Sequence, residues 1–122
     1  MLSKEKLKAF IPTRDSEKAK AFYQGLLGLT LNSEDDFGME FDANGTKLRI
    51  AKTPDFAPYP FTVLGWVVED IADRVSALRA KGIKFEIFSF FEQDELGIWT
   101  APGGTKVAWF KDPDGNMLSL ND

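Results

Sequence analysis

The chain has 122 residues, enough for one domain or for two small modules sharing a core, and it contains neither Cys nor His. Those two zeros exclude disulfides, thiolate nucleophiles, zinc–thiolate sites, the Ser-His-Asp arrangement and any imidazole metal ligand. Fifteen Lys and Arg against nineteen Asp and Glu leave a net charge of −4, and no basic stripe of the kind that phosphate neutralisation needs, so nucleic acid is not an expected partner.

In chain order, residues 7–13 read as a strand that enters a helix through Asp15. Across residues 16–27 the apolar positions Ala19, Phe22, Tyr23, Leu26 and Leu27 follow the i, i+3, i+4, i+7, i+8 stripe of an amphipathic helix. Asp15 or Ser16 caps its start, and Gly28 can take the left-handed conformation that ends it. Residues 29–32 form the next strand. Residues 37–42 and 47–52 then flank Asn44-Gly45, the strongest hairpin signal in the chain. Residues 53–60 hold three prolines and two aromatics and read as an extended, exposed linker. A strand over 61–68 leads through Asp70 into a second helix, with Ile71, Val75 and Leu78 as its buried stripe and Gly82 as its stop. Residues 83–88 read as a strand, and strands over 106–111 and 116–120 flank the turn Asp112-Pro113-Asp114-Gly115.

These pieces repeat. Residues 8–15 match 63–70 in pattern and in their closing Asp, and residues 42–50 match 112–120. Asp15 to Asp42 spans 27 residues and Asp70 to Asp112 spans 42, so the second copy holds 15 more, placed in a loop over 89–105. The expectation is one domain, 1–122, with module one at about 4–52, the linker at 53–60 and module two at about 61–122. Each module has the order strand–helix–strand–strand–strand.

The twin modules, the helix running through Phe22-Tyr23 to Leu26-Leu27-Gly28-Leu29, and the closing Asp112-Pro113-Asp114-Gly115-Asn116 resemble the vicinal oxygen chelate superfamily. Its members include glyoxalase I, extradiol dioxygenases, fosfomycin-resistance enzymes and bleomycin-resistance proteins. The resemblance covers nearly the whole chain. It implies an α+β fold in which two tandem βαβββ modules form a curved mixed sheet around a cleft, with the helices on the outer face, and it implies a homodimer. Metal-dependent members place a His on the first strand of each module and a Glu on the fourth. The corresponding positions here are Lys8 and Val63, then Arg49 and Ser119. Two cations and no carboxylate at those four positions oppose a divalent ion, so neither metal nor cofactor is expected.

Strand alternation suggests what lines the expected cleft. Ala9, Ile11, Leu64, Trp66 and Val68 are assigned to the helix side, which turns Lys8, Phe10, Pro12, Val63, Gly65 and Val67 the other way. On the first hairpin, Phe37, Met39, Phe41, Leu48 and Ile50 go to the core, leaving Glu40 and Arg49 opposite one another. On the second, Val107, Trp109, Leu118 and Leu120 go to the core, leaving Ala108, Phe110 and Ser119. The candidate ligand-binding set is Lys8, Phe10, Glu40, Arg49, Val63, Val67, Trp99, Phe110 and Ser119: apolar walls with one polar cluster, as in small-molecule sites. Each member has a plainer reading. Glu40 and Arg49 form a cross-strand ion pair, Lys8 snorkels to solvent, and Ser119 is a satisfied hydroxyl. The loop over 89–105 is either a solvated tip or a lid in which Phe90, Phe91 and Trp99 close on a ligand and Gly97, Gly103 and Gly104 act as hinges.

The function expected is metal-free binding of a small molecule in a sequestering or resistance-like role. The alternatives are a metal-free lyase or isomerase with Glu40 as base and Lys8 or Arg49 stabilising negative charge, or a metal-dependent member using other carboxylates. No apolar run approaches the ~20 residues that cross a bilayer, and the first eight residues lack the apolar stretch of a signal peptide. A cytoplasmic protein with a small-molecule ligand and no membrane partner is therefore expected.

Overall fold

Asp15 and Asp70 stand where a strand gives way to a helix, and each carboxylate accepts the backbone N–H three residues on, Lys18 at 3.2 Å and Asp73 at 3.1 Å. These caps start the two helices of a computed structural model that describes residues 1–122. The chain divides into two units, Met1–Ala57 and Pro58–Asp122, with the boundary inside the proline-rich segment. It is an α+β protein with two four-stranded mixed sheets and two helical segments.

In unit 1, β1 (Lys8–Thr13) leads to α1 (Ser16–Lys20), which continues as a π-helical turn over Ala21–Leu26. Strands β2 (Thr30–Glu34), β3 (Gly38–Ala43) and β4 (Thr46–Lys52) follow. The sheet order is β1-β4-β3-β2, with β1 parallel to β4 and the other pairs antiparallel. The π turn is a departure from the regular α-helix expected over 16–27. Leu27 N–H bonds to the Phe22 carbonyl, five residues back, at 2.9 Å. The widened turn carries two consecutive core residues, Phe22 and Tyr23, whose rings meet edge to face with centroids 5.0 Å apart. Asn44 and Gly45 both have positive φ (51° and 93°), as a two-residue primed turn requires, so Ala43 pairs with Thr46 and Glu40 with Arg49. The core of this unit is Ile11, Ala19, Phe22, Tyr23, Met39, Phe41, Leu48 and Ile50.

In unit 2, β5 (Thr62–Val67) precedes α2 (Ile71–Ala80), then come β6 (Trp99–Thr100), β7 (Lys106–Lys111) and β8 (Met117–Asn121). The order β5-β8-β7-β6 repeats that of unit 1, again with the first and last strands parallel. Asp112 fixes the turn between β7 and β8. Its Oδ1 accepts the N–H groups of Asp114 and Asn116, and its Oδ2 accepts the Asn116 amide, each at 2.9 Å. All three side chains are buried, as expected for a loop that supplies its own hydrogen-bond partners.

Three expectations need correction here. Phe37, assigned to the core face, is 78% exposed: it precedes β3 and its N–H belongs to the turn held by Asp35. Residues 83–88 do not form a regular strand; they touch β7 through a single bridge, Phe85 to Phe110, and through Glu86 N–H to the Trp109 carbonyl. The Gln93 side chain takes two further backbone groups of this segment, accepting from Phe88 N–H at 2.8 Å and donating to the Glu86 carbonyl, and it also donates to the carbonyl of Gly97. The sheet edge is completed instead by β6, from within the inserted loop. The faces of β7 are also the reverse of those expected. Ala108 pairs with Leu120 and Phe110 with Leu118, so Ala108 and Phe110 join the core, while Trp109 lies opposite Ser119. Phe110 is 1% exposed and packs on Phe85 and Trp66.

Candidate functional site

Each unit has one sheet face that its own core does not use. In unit 1 the cross-strand register places Lys8, Phe10, Lys47, Arg49, Glu40 and Asp42 on it, Asp42 opposite Lys47. The four residues expected there (Lys8, Phe10, Glu40 and Arg49) are thus brought together. The Phe10 ring is 65% exposed, with the Lys8 ammonium 5.7 Å from its centroid.

The ion pairing differs from expectation. Glu40 lies opposite Arg49 but pairs with Lys8, Oε1 to Nζ at 3.1 Å, and more loosely with Lys47 at 3.8 Å. Arg49 turns to Asp35, whose two oxygens accept from Nη2 at 3.1 and 3.3 Å. Asp35 is itself fixed by the N–H groups of Phe37 (2.7 Å) and Gly38 (3.0 Å). The Lys8 hydrogen bond holds the Glu40 carboxyl below its ordinary value, helped by the positive charges of Lys47, Lys8 and Arg49. The backbone bond from Phe37 does the same for Asp35, with Gly38 and Arg49 adding to it. Beside this cluster Lys20, Glu34 and Lys52 tie α1 to the sheet, Glu34 meeting Lys20 at 2.6 Å and Lys52 at 3.0 Å. Sequence reasoning missed Asp35 and Lys47. Lys47 was legible, since it shares the alternation of Arg49; Asp35 acts through a turn whose shape the sequence does not spell out.

In unit 2 the corresponding face carries Gly65, Val67 and the buried Ser119, and Val63 falls at an irregularity in the pairing of β5 with β8. Val67 is 81% exposed and Val63 37%. Gly65 lies directly beside Ser119: a Cβ there would stand 2.6 Å from the Ser119 hydroxyl oxygen. Trp99, expected in the loop as part of a lid, lies in β6 opposite Val107 on this face, whereas Phe110 lies on the other. Trp109 takes that place and anchors an aromatic assembly. Phe91 stacks on it with planes 2° apart and centroids at 5.2 Å, Trp99 lies 4.4 Å from Phe91, and Phe88 meets Trp109 edge on. The loop over 89–105 therefore packs its rings against its own sheet, and of its aromatics Phe90 is the exposed one. Phe90 and Trp99 edge a cavity of ≈ 570 Å³ whose other walls include Gln93, Asp94 and Thr100.

Two consecutive units with the same order of strands and helix, and the same sheet order, define a two-module α+β protein built on an internal repeat. The family model of the Glyoxalase/Bleomycin resistance protein/Dioxygenase superfamily matches residues 7–120, and the chain belongs to that superfamily. No curated protein matches in sequence. Among solved structures, a superfamily member from Sphaerobacter thermophilus is 23% identical, with a TM-score of 0.75 and 99% of this chain and 98% of that chain covered. The glyoxalase family protein from Enterococcus faecalis is 23% identical, with a TM-score of 0.73 and full coverage of both chains. A lactoylglutathione lyase from Agrobacterium tumefaciens is 14% identical, with a TM-score of 0.72 and 97% and 92% covered. At these identities the likeness is one of fold. No helix is long and apolar enough to cross a membrane.

The four positions at which the resemblance implies metal ligands do not fit a divalent ion. Lys8 and Arg49 are cations engaged with Glu40 and Asp35, Val63 has no donor atom, and Ser119 offers one neutral hydroxyl. Of the nearby carboxylates, Glu40 is already shared by two ammonium groups and Asp35 is bound to Arg49.

Proposed function

We propose that the protein binds a small molecule without the help of a metal ion, in a sequestering or resistance-like role. The observation that carries this reading is the donor chemistry: ammonium, guanidinium, isopropyl and hydroxyl groups at the four ligand positions. Support comes from the exposed apolar side chains Phe10 in unit 1 and Val63 and Val67 in unit 2. The alternative role for Glu40, as a general base, is disfavoured by its surroundings. A carboxylate that accepts from Lys8 and sits in the field of Lys47 and Arg49 is a weaker base than a free glutamate.

The test is thermal unfolding of the protein after exhaustive dialysis against chelator, in the presence of a library of small aromatic and aliphatic compounds. A ligand at a hundred times its dissociation constant stabilises the folded state by about 2.7 kcal/mol, a readily measured shift. At least one compound should raise the melting temperature equally before and after chelation. A shift that disappears with the chelator, or a library without effect, contradicts the reading.

A further inference from the structure

We infer that the ligand is an organic cation, a small molecule bearing a protonated amine or a quaternary ammonium group, held in unit 2 by the rings of Phe90 and Trp99 and the carboxylates of Glu92 and Asp94. This rests on the small-molecule-binding reading and names its ligand class. The four residues line one notch, the ≈ 570 Å³ cavity at the edge of the unit 2 sheet, where Gln93 bridges to Trp99 and the two segments then part. Its walls combine the two rings and the buried Ile98 with the two carboxylates, and no Lys or Arg is among them.

Both kinds of wall are fixed in place and have capacity left. Trp99 stands 4.4 Å from Phe91, which is itself stacked on Trp109, and Phe90 packs on Phe91 at 4.7 Å and on Phe88 at 5.6 Å while remaining exposed. Asp94 is oriented by its own loop: Oδ1 accepts the N–H groups of Leu96 and Ile98, each at 2.9 Å, and Oδ2 accepts none. Glu92 makes neither a hydrogen bond nor an ion pair. The charges around the notch leave these two carboxylates unanswered. Arg79 lies with Glu95 at a separate cavity and donates to its carbonyl. Lys106, opposite Thr100, has Asp122 beside it, the carboxylate accepting the Lys106 N–H at 2.8 Å. Unit 2 as a whole holds ten acidic residues and six basic ones, so its field acts in the same sense.

Aromatic faces beside free carboxylates select an organic ammonium. The ring quadrupole attracts a cation that sheds its water easily, and the carboxylates supply the counter-charge. An anion is repelled, and a neutral molecule leaves the carboxylates without a partner. A bare divalent ion needs six or more oxygen ligands, and two carboxylates with one oxygen already committed offer too few.

The experiment is titration of the full chain, followed through the Trp99 indole N–H signal in nuclear magnetic resonance, with three probes of closely similar shape. They are choline, 3,3-dimethylbutan-1-ol, in which carbon replaces the nitrogen, and 3,3-dimethylbutanoate. Choline should bind roughly tenfold more tightly than the alcohol, and the carboxylate more weakly than either. Phe90→Leu, which keeps an apolar side chain without the ring, and Glu92→Gln should each weaken choline several-fold. Both residues are exposed, so neither substitution endangers the fold. Asp94→Asn keeps an oxygen for the Leu96 and Ile98 N–H groups and should act in the same direction as Glu92→Gln. Glu69→Gln, at an exposed acid between β5 and α2, should leave choline unchanged. Equal binding of choline and the alcohol, preference for the carboxylate, choline binding indifferent to Phe90→Leu, or equal effects of Glu69→Gln and Glu92→Gln overturns the cationic ligand class. A library hit of another charge would then leave small-molecule binding standing; failure of the probes and the library together removes both.

Discussion

Phe110→Ala should be among the most destabilising single substitutions in the chain, costing about 3–5 kcal/mol. The ring is 1% exposed and lies between Trp66, 6.4 Å away, and Phe85, 5.3 Å away. Its truncation leaves a cavity bounded by the backbone of β7 and β8, which cannot collapse to fill it. Val67→Ala removes methyl groups from a side chain that is 81% exposed and should stay within about 0.5 kcal/mol of the parent. Urea unfolding of the two variants measures both. A near-neutral Phe110→Ala would mean that the ring faces outward, as strand alternation alone had suggested, and that the pairing of β7 with β8 is shifted by one residue.

Gly38→Ala should cost about 1–3 kcal/mol and disturb the charged face at the same time. Gly38 is buried at the start of β3, and a Cβ there would stand 2.5 Å from the Ile50 carbonyl oxygen and 3.0 Å from Arg49 Nε. The nearer atom is backbone, so relief requires β3 and β4 to part. The same movement displaces the Gly38 N–H from Asp35, and with it the carboxylate that positions Arg49. Gly65→Ala is the control. Its closest atom, the Ser119 hydroxyl oxygen at 2.6 Å, can rotate away, so the loss should be smaller. Denaturation midpoints settle the order; an unchanged midpoint for Gly38→Ala would contradict the close strand approach.

Features carried by short local chemistry were legible in the sequence. The caps at Asp15 and Asp70 and the Asn44-Gly45 turn depend on residues within a few positions of one another, the repeat is a second copy of such short motifs, and each forms as expected. The faces of β7 were not legible, because Val107-Ala108-Trp109-Phe110 is apolar at every position and alternation cannot choose between its two sides. The turn decides. A connection of four residues, 112–115, would set Trp109 opposite Leu118. Asn116 joins the loop through its bonds to Asp112, the connection becomes five residues long, and Phe110 moves opposite Leu118 instead. The lost strand at 83–88 has a similar cause: Gln93, from the insertion, takes backbone partners that a neighbouring strand would have used.

The candidate site was legible by residue and not by partner. Alternation put Lys8, Phe10, Glu40 and Arg49 on one face, and the register does the same. It could not show that Arg49 would leave Glu40 for Asp35, since that choice depends on the turn at 35–38 presenting a carboxylate held by two N–H groups. The consequence is chemical. Glu40 is left to the ammonium groups, and the guanidinium is held in place with donors to spare.

Cationic groups thus stand where a metal-binding donor set would be. The most direct test of this replacement is the metal content of the purified protein after equilibration with nickel, manganese and zinc salts and removal of excess ion by gel filtration, read by mass spectrometry. The protein should emerge with far less than one ion per chain, and its ligand binding should be the same with and without the metal treatment. One tightly held ion per chain, released together with ligand binding by chelator, would contradict it.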